Sequence, residues 1–81
     1  MINIDEATAI ANRESFCIGP GYVVTIVPNV DEVVLEVRNR EGGVWTTQRF
    51  TVPLAEHTVA SFASACRKAW TEAVERLKGA A

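Results

Sequence analysis

One histidine and two cysteines, at unrelated spacings, leave this 81-residue chain without the material of a metal centre. Structural zinc sites draw four ligands from paired motifs, and none is present. Nucleophilic catalysis is equally short of parts. His57 has Ser61 one helical turn later and no third group to orient its ring, so a solvated histidine near a helix start is the expectation, and the chain reads as non-enzymatic, without metal or cofactor. Cys17 and Cys66 are too few for a disulfide framework and are expected as free, buried thiols, Cys66 behaving as a small hydrophobe. No apolar run approaches the roughly 18 residues of a membrane span. Asp5 and Glu6 stand where a signal peptide would be positive, which points to a cytoplasmic protein with no membrane partner. A net charge of −2 gives no broad basic field for gripping phosphates, and is too mild for a whole-surface DNA mimic. Gly42 and Gly43 lead into Val44 and not into a helix, so they are hairpin glycines and not a phosphate cradle.

What is present reads as one small folded domain over residues 1–81. A hydrophobic content of 48% against 22% charged residues is that of a globular chain. At this length only roughly 60% of the unfolded surface is buried, so stability is modest. Val59, Phe62, Cys66, Trp70, Ala73 and Leu77 recur every three or four residues, the stripe of one long amphipathic helix with Trp70 in the core. It starts between Pro53 and Thr58, with Glu56 at the positive end of its dipole. Lys68 with Glu72, and Glu72 with Arg76, are four apart, and Gly79 is a stop. A short helix runs from Ile4 to about Arg13, capped by Asn3 with Glu6 reaching back and Ile2 stapled to Ala7. Its apolar face is Ala7, Ile10 and Ala11, and Gly19, Pro20 and Gly21 end anything helical.

Between the helices lie three β-like runs. Tyr22–Val27 is β-branched and aromatic and stops at Pro28 and Asn29. Val33, Leu35 and Val37 alternate with Val34, Glu36 and Arg38, and the Leu35 face is the core. Asn39–Gly43 closes a hairpin that returns as Val44–Val52. In that third run Val44, Phe50 and Val52 share one parity, while Trp45, Thr47, Arg49 and Thr51 share the other. If Val44 and Phe50 face the helix, the open face carries Trp45 and Arg49 beside Glu36 and Arg38. The opposite parity, or a covering N-terminal helix, makes Trp45 an ordinary core residue. The order is a simple meander or one with the first strand in the middle. The fold class is α+β in the order αβββα, a three-stranded antiparallel sheet with the long helix on one face.

That order is also found in double-stranded RNA-binding domains, which place a lysine cluster at the start of the final helix. Here the position reads Leu54, Ala55, Glu56, His57, which disfavours a nucleic-acid partner. A single-strand platform, with Trp45 stacking on a base and Arg38, Arg40 and Arg49 on backbone, is the alternative. An exposed aromatic among arginines is also the composition of a protein-interface hot spot, and this is the preferred reading. A homodimer through the unpaired sheet edge or open face is a third.

The opening Ile2, Asn3, Ile4, Asp5, the alternating Val33–Asn39 with its tight turn, and the helix pattern Val59, Phe62, Ala65, Trp70 resemble the small phage anti-CRISPR proteins that block Cas9. The resemblance implies an inhibitor acting in host cytoplasm, with a CRISPR effector as its protein partner. In that family acidic side chains mimic phosphate, and Glu41, Glu72 and Glu75 are the matching positions, although this chain is far less acidic. The expected partner-binding set is Trp45, Arg49, Arg38, Glu36, Glu41, Arg40, Glu72 and Glu75.

Overall fold

Asn3 opens the first helix by accepting the Glu6 backbone N–H at 2.8 Å, which satisfies one of the free donors of the first turn. The computed structural model describes residues 2–55 and 57–79. Helix α1 spans Ile4–Glu14 and a 3₁₀ turn, Ser15–Cys17, follows it. Strands β1 (Tyr22–Pro28), β2 (Glu32–Glu41) and β3 (Val44–Pro53) precede helix α2 (Val59–Gly79). The expected αβββα order is the one observed, and the sheet is an antiparallel meander with β2 in the middle. Gly42 and Gly43, at φ 59° and 82°, make the whole β2–β3 loop. Two consecutive positive-φ residues are what a primed two-residue hairpin turn requires, and its twist matches the strands it joins.

Ten unbroken residue pairs join β2 to β3, among them Leu35 with Phe50, Glu36 with Arg49 and Arg40 with Trp45. This register sets the face. Val33, Leu35 and Val37 are fully buried against Phe62, Cys66, Trp70 and Ala73 of α2, while Ala7, Ile10 and Ala11 bring α1 into the same core. Fully burying a side chain such as Leu35 contributes about 1.5–3 kcal/mol. The Trp70 indole N–H donates to the Ala11 carbonyl at 3.0 Å, so the largest core residue has no orphaned polar atom and ties the helices together. A second tie is ionic. Glu14, almost entirely buried, accepts from Arg67 at 2.7–2.8 Å and from Arg13 at 3.3 Å.

Several details depart from the sequence reading. The α2 stripe begins at Phe62 and includes Ala69, whereas Val59 is 47% exposed because, as the first helical residue, it lies beyond the sheet's cover. Cys17 is exposed, held on the 3₁₀ turn outside the core. No return bond from the Glu6 carboxylate to Asn3 exists among the described residues, whereas Pro53 ends β3 as expected and α2 starts at the Thr58 limit of its expected range. Glu56 lies outside the described residues.

The β2–β3 hairpin outruns its supports. Strand β1 pairs with β2 only as far as Asn39, so Arg40–Trp45 is two strands wide. On the helix side Arg76 lies over the Phe50 ring at 5.1 Å, but Val44, six residues further out, is 66% exposed. The molecule is correspondingly elongated, 42 × 20 × 17 Å.

Candidate functional site

The face of the sheet turned away from both helices is built in rows by the strand register. Val23, Arg38 and Thr47 form one row; Thr25, Glu36 and Arg49 the next; Val27, Val34 and Thr51 a third; Arg40 and Trp45 stand alone at the two-stranded end. Trp45, Arg49, Arg38, Glu36 and Arg40 are therefore brought together, as the parity argument predicted. Trp45 is 51% exposed, so neither a reversed parity nor a covering α1 applies.

Charge organises this face around two anchors. Glu36 takes Arg49 through one carboxylate oxygen, from Nη2 at 2.8 Å and Nε at 3.2 Å. A cross-strand pair of this kind contributes roughly 0.2–1 kcal/mol. The guanidinium groups of Arg38 and Arg40 lie over the Trp45 ring at 5.6 and 5.9 Å from its centroid. Each such contact is worth about 0.5–1 kcal/mol at an exposed site. The other Glu36 oxygen is 3.8 Å from Arg38 Nε, too long for a hydrogen bond, and that buried nitrogen has no partner among the described residues. Three arginines against Glu36 and Glu32, the latter at the far end of the same β2 face, leave the Trp45 end of the face basic on a chain that is net acidic.

The remaining expected residues lie elsewhere. Glu41 pairs with Val44 and so points with it to the helix side at the hairpin end. Glu72 and Glu75 are on α2, beyond the sheet, where they line a shallow depression with Lys68 and Thr71. Glu72 is engaged by Arg76 at 2.8 Å. These three glutamates do not join the Trp45 cluster. The sequence reading also missed the β1 contribution of Val23, Thr25 and Val27, whose period of two was visible.

His57 Nδ1 does sit 3.0 Å from Ser61 Oγ, but the hydroxyl is committed to a helix cap. Ser61 Oγ accepts the Thr58 N–H at 2.9 Å and Thr58 Oγ1 accepts the Ser61 N–H at 3.2 Å, a reciprocal capping box with serine in the usual acidic place. The imidazole packs edge-on against Phe62, 5.7 Å between centroids. Among the described residues no acid hydrogen-bonds the ring, and no three His, Cys, Asp or Glu side chains gather as a metal site would need. Burial, with the nearby Glu14 charge, pushes the Cys66 thiol up to about 11, so it is not a nucleophile. No helix among the described residues is long and apolar enough to cross a membrane. No protein-family profile, curated protein or solved structure matches the chain.

Proposed function

We propose that this chain is a non-enzymatic protein-binding module that meets an acidic partner surface with the open face of its sheet. The observation that carries the reading is Trp45, half-exposed and held in place by two guanidinium groups. Tryptophan and arginine dominate interface hot spots because they bring large area at small entropic loss. Here their rotamers are already restrained before a partner arrives. Partner carboxylates would pair with Arg38 and Arg40 while the indole is buried, and the gathering of these arginines at the Trp45 end of the face favours that sign. Inhibition of Cas9, another CRISPR effector or another nucleic-acid-handling protein is the specific form that the family resemblance adds, with Glu41, Glu72 and Glu75 as its phosphate mimics.

The same tryptophan and arginines also support a second reading, an RNA or single-stranded DNA platform. There a base must displace a guanidinium to stack on Trp45, and affinity falls steeply with salt because backbone contacts release counterions. Affinity capture from native cell lysate, with and without nuclease, separates the two. A stoichiometric protein that survives nuclease and is lost with Trp45→Ala, the variant still folded by circular dichroism, is the expected result. Recovery of nucleic acid alone, or a partner indifferent to Trp45→Ala, overturns the proposal.

A further inference from the structure

Among the described residues no strand pairs with the outer edge of β3. In a two-residue hairpin the flanking pair, Glu41 with Val44, exchanges both main-chain hydrogen bonds, which fixes the phase of the ladder. Residues 44, 46, 48, 50 and 52 of β3 then turn their N–H and C=O groups to β2. Trp45, Thr47, Arg49 and Thr51 turn theirs outward. Pro53 and Pro28 both fall in outward phase, on β3 and β1, which is where a strand tolerates a residue without an N–H.

The two edges of the sheet are not alike. Strand β1 is seven residues long, framed by Gly19, Pro20, Gly21 and Pro28. Strand β3 is ten residues long, pairs without a bulge and has no lysine, and its one charge, Arg49, is drawn across the sheet to Glu36. Natural proteins blunt free edges with such devices, and β3 has fewer of them, a proline only at its last position, Pro53. Beside this edge, between β3 and α2, runs a groove lined by Phe50, Val52, Ala65 and Ala69 together with His57, Lys68 and Glu72.

We infer that a second copy of this chain pairs antiparallel with β3 about a twofold axis at Thr47. Self-complementarity selects both the occupant and the register. With Thr47 facing its own copy, Trp45 stands opposite Arg49 of the second copy on the open face, and Thr46 opposite its Gln48. On the helix side Val44, two-thirds exposed, falls onto Phe50, which lines that groove. An axis at Arg49 would set two like charges face to face. An axis at Gln48 would place Trp45 against Thr51 and separate it from arginine. The Thr47 register satisfies about six outward main-chain groups on each copy as three hydrogen-bonded residue pairs. The result is a closed, isologous dimer with a continuous six-stranded sheet. Its main-chain pairing runs along the edge, so it does not rest on the face binding a partner, although Trp45 and Arg49 of the face flank the seam.

Sedimentation velocity from low micromolar to millimolar protein tests the pairing directly. A dimer is expected, and Thr47→Lys, which sets two cations together on an exposed position, is expected to yield monomers with an unchanged circular dichroism spectrum. Amide exchange reads the edge without mutation: Trp45, Thr47 and Arg49 amides exchange at least tenfold more slowly at high than at low concentration. In a Cys17→Ser background, Thr47→Cys is expected to cross-link on treatment with diamide. A chain monomeric throughout, edge amides that exchange freely at every concentration, or a dimer untouched by Thr47→Lys overturns the inference.

Discussion

The two tryptophans divide the labour of this molecule between stability and contact. Trp70 is fully buried and satisfied by the Ala11 carbonyl, so Trp70→Phe leaves that carbonyl without its donor and is expected to lose about 1–3 kcal/mol in urea denaturation. Trp45→Ala, which removes a surface side chain, is expected within about 1 kcal/mol of the parent in the same experiment. Glu14 adds a pH signature. Burial alone would raise its carboxyl, but the hydrogen bonds from Arg67 and Arg13 outweigh that and hold it below the ordinary value near 4.5. A carboxyl lowered in the folded state stabilises fully above the unfolded value and loses its contribution as pH falls through the folded one. Melting temperature is therefore expected to drop below about pH 4.5 in the parent, with a shallower slope in Glu14→Gln. For the thiols, a disulfide-exchange reagent at pH 8 is expected to titrate Cys17 at once and Cys66 only after unfolding, since one is exposed and the other buried with its thiol raised.

Caps and turns decide where the elements stop. Thr58→Ala removes half of the α2 capping box and is expected to cost about 1 kcal/mol, which for a domain of this size lowers the melting temperature by roughly 4–8 °C. Most of this layer was legible beforehand. Asn3, Thr58, the double glycine and the period-two run around Leu35 each act through near neighbours, so local chemistry was enough to place them. The face of Trp45 was legible too, because parity passes unbroken through a two-residue turn. Glu14 was not, since its burial depends on Arg67 reaching it from 53 residues away, and nothing near Glu14 in the chain signals that. The exposure of Cys17 and Val59 was hidden for the same reason: a stripe or a residue type does not say where the opposing layer ends. Glu41 was misplaced although the same parity applied to it: it shares the phase of Val33, Leu35 and Val37 and so lies on the far side of the hairpin from Trp45.

Taken as a whole, the molecule is a helix-backed sheet with one bare face, and its two ends are unequally supported. The core unites α1, α2 and the near part of the sheet, while Arg40–Trp45 stands beyond both β1 and the cover of α2. Salt reads the bare face globally: partner binding led by Trp45 burial is expected to weaken gently between low and physiological ionic strength, against a steep loss for phosphate contacts. The projecting hairpin also sets how much freedom must be frozen on association. Its side chains are restrained by the arginine–tryptophan contacts, but its backbone is two strands wide and turns on two glycines, so part of the binding free energy is spent restricting that backbone. Asparagine adopts the left-handed conformation that Gly42 occupies at φ 59°, and Asn-Gly favours the same turn. Gly42→Asn should therefore tighten partner binding through slower dissociation without adding a single contact, since the indole would be presented already in place.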